Sequence, residues 1–76
     1  MKCLSLHGLY NAVRRGTYNR FFIHFQGLEI EIQRDKIAPK LYQLILKHGM
    51  NHKVVVEVNE NRDLIIRDLN VETESA

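Results

Sequence analysis

The clearest hydrophobic pattern in the chain runs from Phe21 to Gln33. Apolar side chains occupy every second position on two arms, at 21, 23 and 25 and then at 28, 30 and 32. This period of two predicts strands with one buried face. The dipeptide Gln26-Gly27 between the arms suits a tight hairpin turn, because such a turn needs a positive φ angle. We therefore expect a β-hairpin that folds about residues 26–27.

A helical pattern precedes the hairpin, over about residues 6–15. Its apolar residues recur three and four positions apart, as on one side of a helix. Ser5 is a suitable N-cap, and Gly16 is suitably placed to end the helix. The apolar stripe consists of Leu6, Leu9, Tyr10 and Val13.

A second helix is expected from Asp35, as its N-cap, to Gly49. Pro39 favours the first helical turn, so the regular helix is expected to begin there, after a looser turn at 36–38. The apolar arc of this helix, extended by Tyr42 and Leu46, is wider than one sheet contact requires. It predicts a second contact, either with the N-terminal helix or with another molecule.

Two further strands are predicted, at Lys53–Val58 and Leu64–Leu69. The polar segment between them allows a loop of three or of five residues. The side chains expected to face inward are Val54, Val56, Val58, Leu64 and Ile66.

Together these elements predict one α+β domain over residues 1–76. An N-terminal helix (1–16) precedes a ββαββ core (20–69), in which one helix crosses a four-stranded sheet, and an acidic tail follows (70–76). In element order alone, this core resembles the β-grasp domains, such as ubiquitin-like and immunoglobulin-binding domains. A right-handed crossover would place the first and last core strands side by side and parallel.

Three apolar residues are expected on the sheet face opposite the crossing helix: Phe22, Val55 and Ile65. One interpretation is that the N-terminal helix covers them with Leu6, Leu9, Tyr10 and Val13. The other is that they form an interface with a second copy or with a partner protein, because an exposed apolar patch usually marks an interface.

Composition excludes several classes of protein. No apolar run approaches the roughly 18 residues of a membrane span, so no membrane association is expected. One cysteine, Cys3, cannot form an internal disulfide, which favours a free thiol and a cytoplasmic location. The net charge is only +2, but residues 1–27 carry no acid whereas the C-terminal third is acidic. This asymmetry favours an anionic partner for the basic part.

No residue pattern predicts catalysis. Cys3 with His7, and His48 with His52, are isolated pairs, whereas zinc sites repeat such pairs. The second pair spans Gly49, where the helix should end, so its side chains need not share a face. His24 is instead expected to pair with Glu29 across the hairpin. There is no phosphate-binding glycine loop. We therefore predict no metal, no cofactor and no enzymatic activity.

The remaining hypotheses concern binding. The segment RRGTYNRFF interleaves basic and aromatic residues, and the second helix carries a lysine stripe, as expected of contacts to phosphates and unpaired bases. The first hypothesis is a small regulatory protein, dimeric, that binds DNA or RNA. The alternative is a protein-binding regulator or inhibitor that uses the outer sheet face or an edge strand. The predicted nucleic-acid contacts are Arg14, Arg15, Tyr18, Arg20, Lys36, Lys40, Lys47 and Lys53.

Overall fold

A computed structural model of the chain describes residues 2–25 and 27–69. This part of the chain is an α+β fold in which two helices lie on a five-stranded mixed sheet. A single 3₁₀ turn, Arg34–Lys36, precedes the second helix. The elements in chain order are β1 (Lys2–Ser5), α1 (Leu6–Arg15), β2 (Arg20–Phe25), β3 (Leu28–Gln33), α2 (Ile37–His48), β4 (Lys53–Val58) and β5 (Leu64–Asp68).

The strands lie in the order β1-β4-β5-β2-β3. The predicted parallel pair is confirmed, because β2 runs parallel to β5 with Phe21 opposite Leu64. The other neighbouring strands are antiparallel. Each of the two parallel crossovers, β1-α1-β2 and β3-α2-β4, therefore carries one helix.

The prediction of a four-stranded sheet is wrong, because Lys2–Ser5 forms a fifth strand. It lies at one edge of the sheet, antiparallel to β4, with Leu4 opposite Val54. Four residues are too few for a period of two to stand out from the sequence. Cys3 therefore belongs to a paired strand, with its side chain exposed.

The limits predicted for α1 are confirmed. The backbone N–H of Gly8 donates a hydrogen bond to the Ser5 hydroxyl at 3.1 Å, which satisfies one of the free donors at the start of the helix. At the other end, the Gly16 N–H donates to the carbonyl of Ala12 at 2.9 Å. A Cβ atom at Gly16 would lie 2.6 Å from the ring of Tyr18, so any larger residue there would displace that ring.

The start of α2 differs from its prediction. The helix begins at Ile37, and Asp35 is not its N-cap but lies in the preceding 3₁₀ turn. Pro39 is the third helical residue. It is tolerated there because the first four N–H groups of a helix have no partner within the helix. The helix ends at His48, followed by Gly49 with a φ angle of +98°.

Both predicted hairpins are present. In β2–β3 the register is as expected, with Phe21 opposite Ile32, and Gly27 has a φ angle of +76°. Gln26, the other residue predicted for this turn, lies outside the described residues, as does the predicted tail at 70–76. In β4–β5, Val58 pairs with Leu64, which selects the five-residue loop, although Val58 remains half exposed.

Both helices pack on the same face of the sheet. The apolar stripe of α1 joins α2 and the inward side chains of the sheet in one core, so the prediction that α1 covers the opposite face is wrong. The additional strand explains the difference. Five strands span about 19 Å, which accommodates two helices about 10 Å apart. The fully buried core side chains are Leu6, Leu9, Phe21, Ile23, Leu41, Val54 and Ile66.

Candidate nucleic-acid interface

The solvent side of the two helices forms one surface, which we call the helical face. The start of α1 is held against the loop after α2, because the N–H groups of Leu6 and His7 donate to the carbonyls of His52 and Met50. The helices therefore run antiparallel. This arrangement brings the end of α1, with Arg14 and Arg15, to the same end of the layer as the start of α2.

Every formal charge on the two helices is positive. Neither Leu6–Arg15 nor Ile37–His48 contains an aspartate or a glutamate, although the whole chain has nine. Lys36 directly precedes α2, in a 3₁₀ turn that also carries the exposed Asp35. With Lys36, five of the eight predicted contact residues belong to this surface. They are Arg14, Arg15, Lys36, Lys40 and Lys47.

Arg14 and Arg15 lie in the last turn of α1, where positive charge also stabilises the helix dipole. Both side chains are exposed. With Asn11 they border a shallow depression of about 290 Å³. The Arg14 guanidinium lies 5.7 Å from the centre of the Tyr10 ring, a cation–π distance that restricts its orientation.

Lys36 and Lys40 border a second depression, of about 340 Å³, between the start of α2 and the edge strand β3. Glu31 and Gln33 also line it. Both belong to the edge strand β3, so the depression is open to solvent along the sheet edge. The lysines are better suited to contacts along the helical face than to a closed anion pocket.

Exposed apolar side chains lie among these cations. Tyr42 is 56% exposed and Leu46 is 70% exposed, both on the solvent side of α2. The wide apolar arc of α2 had predicted a second contact, and α1 provides one. That contact leaves Tyr42 and Leu46 in water. Tyr42 is not among the contact residues predicted from the sequence. The width of the apolar arc of α2 was the feature that could have identified it.

Arg20 and Lys53 lie on the opposite side of the molecule. Strand alternation directs both side chains to the outer sheet face, by which we mean the sheet face that carries no helix in the described residues. Arg20 Nη1 lies 3.4 Å from Glu31 Oε2 in an exposed ion pair. These two cations are therefore separated from the five on the helical face.

Tyr18, the remaining predicted contact, has a structural role. It is half-buried, and its ring meets that of Phe21 edge to face with centres 5.7 Å apart. Its other side lies against Gly16. Only part of the ring remains accessible to a base.

The predicted apolar patch on the outer sheet face is only partly contiguous. Phe22 lies directly beside Ile65 in the register, and both are half-buried. Val55 is only 7% exposed, and its direct neighbour on β5 is Arg67. Arg67 in turn donates to Glu57 at 3.1 Å. Charged pairs therefore surround and divide the apolar residues of this face.

The side chains of His48 and His52, which the sequence did not place on one face, contact each other at the C-terminal end of α2. The rings of His48 and His52 lie with centres 4.9 Å apart and planes inclined by 31°, and Phe25 lies against His48 at 5.4 Å. His52 Nε2 is 3.0 Å from Asp68 Oδ1, and this carboxylate is buried. No three His, Cys, Asp or Glu side chains in residues 2–25 and 27–69 could hold a metal ion together.

No protein-family model matches the chain, and no significant similarity was found to a curated protein or a solved structure. Neither helix of the described part is long and apolar enough to cross a membrane. The residues and their geometry are therefore the basis for a functional assignment.

Proposed function

We propose that this chain is a small non-enzymatic regulatory protein that binds nucleic acid through its helical face. One observation carries the proposal: the two helices present cations and no carboxylate, while all nine acidic residues belong to the rest of the chain. A surface of one charge sign attracts a polyanion at long range. Lys and Arg contacts to phosphates then supply most of the sequence-independent affinity.

The contact residues in this proposal are Arg14, Arg15, Lys36, Lys40 and Lys47. Arg14 and Arg15 form the strongest part, because both are exposed at a helix end and neither has a carboxylate on its own helix. Arg20 and Lys53 face away from this group and belong to it only if nucleic acid wraps around the protein. A dimer would double the number of cations available to one strand.

The proposal includes two finer statements. The segment β2-β3-α2-β4-β5 follows the β-grasp order, and we regard β1 and α1 as additions to a core of that type. A nucleic-acid partner also agrees with the predicted cytoplasmic location. Both statements remain predictions.

Fluorescence anisotropy with a mixture of labelled DNA and RNA probes, single-stranded and duplex, tests the proposal. Five phosphate contacts imply that affinity falls by about 100-fold or more between 50 and 200 mM salt, from a slope of about 0.7–0.9 per contact. Replacing Arg14 and Arg15 by alanine removes two contacts, and we expect binding about 20-fold weaker at 0.1 M salt.

The outer sheet face offers a matched control. Arg20→Ala with Lys53→Ala removes the same amount of charge from the opposite side, and we expect less than a twofold change in affinity. Equal losses from the two double variants would indicate a response to net charge alone. That result, or no binding to any probe at 50 mM salt, would overturn the proposal.

An alternative is protein binding through the outer sheet face. The observation in its favour is that α1 packs on the other side, which leaves the neighbouring pair Phe22 and Ile65 without a helix over it in the described residues. In this alternative, Phe22→Ala and Ile65→Ala reduce capture of a partner at 200 mM salt, while Tyr42→Ala leaves it unchanged. The salt dependence of affinity distinguishes the two functions. Rising salt weakens phosphate contacts steeply, whereas it does not weaken apolar docking in this way.

A further inference from the structure

One aromatic side chain is left in water on the helical face. The chain contains six Phe and Tyr residues, all within the described ranges, and Tyr42 alone among them is exposed, at 56%. The other five pack at least partly into the protein. An aromatic ring with this exposure has an open π face on which another planar group can stack.

Cations flank this ring across the helical face. Lys40 and Lys47 are on the same helix but project about 140–160° away from Tyr42 around its axis, and Lys40 lies toward β3. Across the layer, the guanidinium of Arg14 is held 5.7 Å from the Tyr10 ring centre. Because neither helix has a carboxylate, an anionic chain meets no like charge along α1 and α2.

The width of the helical face distinguishes between kinds of nucleic acid. Each helix is about 10–12 Å across with its side chains, and α1 lies beside α2. The pair is wider than the DNA major groove, which is about 12 Å wide and admits one helix. In a duplex the bases also stack on one another, so no base is free for Tyr42. Unpaired bases expose their faces and stack on aromatic side chains in a sequence-tolerant way.

We propose that the nucleic acid bound by the helical face is single-stranded. One unpaired base stacks on Tyr42, and the strand crosses the solvent side of α2, so that phosphates on one side of the base contact Arg14 and those on the other side contact Lys40 and Lys47. This inference rests on the proposed function, which it narrows to one class of nucleic acid. Leu46, one turn from Tyr42 and 70% exposed, has no ring on which a base could stack and makes no contact in this proposal.

The test compares a 12-nucleotide oligo-dT with a 12-base-pair duplex by fluorescence anisotropy at about 50 mM salt. We expect the single strand to bind more tightly. Tyr42→Ala weakens its binding by about 5- to 150-fold, the range measured for base–aromatic stacking, and leaves the salt slope unchanged. Tyr42→Phe keeps the ring and retains wild-type affinity. Leu46→Ala on the same helix is the matched control and changes affinity less than twofold.

Intrinsic fluorescence gives a second measurement that does not depend on a loss of affinity. The chain has no tryptophan and three tyrosines, and Tyr10 and Tyr18 are half-buried. Stacking quenches tyrosine emission, so oligo-dT is expected to quench the wild-type protein. The same oligonucleotide leaves the remaining emission of Tyr42→Phe nearly unchanged, although that variant still binds.

The outcomes separate the two proposals. If the duplex binds as tightly as oligo-dT and Tyr42→Ala has no effect, while the Arg14 and Arg15 variant is impaired, the preference for single strands and base stacking on Tyr42 are overturned and the proposed function remains. If neither of these probes nor any of the mixed DNA and RNA probes binds at 50 mM salt, both proposals are overturned. If the protein instead binds phosphatidylserine vesicles and no oligonucleotide, both are again overturned, and the helical face contacts an anionic membrane surface.

Discussion

The helical face and the outer sheet face carry similar basic residues in opposite electrostatic settings. On the sheet, Arg20 pairs with Glu31 at 3.4 Å and Arg67 with Glu57 at 3.1 Å. On the helices, every cation lacks a carboxylate on its own element. Paired charges cancel beyond a few ångströms, whereas charges of one sign produce a field that extends to about a Debye length. The arrangement of the charges therefore distinguishes the two faces more than their number.

The largest expected effect is on the free energy of unfolding. It comes from β5, whose side chains alternate between the two faces of the sheet. Ile66 is fully buried against the helices, and its neighbour Ile65 faces outward, half-buried. Ile66→Ala should lower the free energy of unfolding by about 2–5 kcal/mol, because it removes apolar contacts and leaves a cavity. Ile65→Ala should cost less than half as much. Urea unfolding measures both, and equal losses would mean that the outer face is covered as thoroughly as the core.

Charge reversal on the helical face should weaken nucleic-acid binding far more than charge reversal on the outer sheet face. Lys40→Glu with Lys47→Glu removes two of the proposed phosphate contacts and adds repulsion, so we expect affinity for nucleic acid to fall at least 20-fold, about 2 kcal/mol. The same reversal at Arg20 and Lys53 should have less than a tenth of that effect. Elution from a heparin column at increasing salt reports the ranking directly. A reversed order of elution would contradict the assignment of the interface to the helices.

A smaller effect is expected from removing the histidine next to the one buried carboxylate in the described residues. His52 lies 3.0 Å from Asp68, and both side chains are largely shielded from water. His52→Ala should lower the free energy of unfolding by about 1–3 kcal/mol, since a buried acceptor loses a hydrogen-bond donor. Urea unfolding provides the measurement, with exposed His7→Ala as the control. No difference between the two variants would show that the contact is not stabilising.

The smallest effect is expected from the exposed ion pair on the outer sheet face. Arg20→Ala should change the free energy of unfolding by about 1 kcal/mol or less, because solvent screens a pair whose side chains are 63% and 47% exposed. A double-mutant cycle with Glu31→Ala isolates the pair energy. A coupling above about 2 kcal/mol would mean that this pair is structural, and would make Arg20 a poor control for binding.

Local patterns determined most of the secondary structure. Alternation predicted the register of β2 and β3, and Ser5 and Gly16 correctly limited α1. The reason is that these features depend on neighbours close in the chain: side-chain direction in a strand, or a cap within three residues. The start of α2 was harder, because Asp35 and Ile37 are both compatible with a helix start and the 3₁₀ turn decides between them.

The sequence by itself also determined the composition of the two surfaces, since the absence of acids over both helices is visible without a structure. Only the tertiary structure decided how those surfaces are arranged in space. Strand β1 forms because β4 provides a partner about fifty residues away, and the wider sheet then holds α1 beside α2. That packing places Arg14 on the opposite side of the sheet from Arg20. This separation depends on distant backbone pairing, which no local period records.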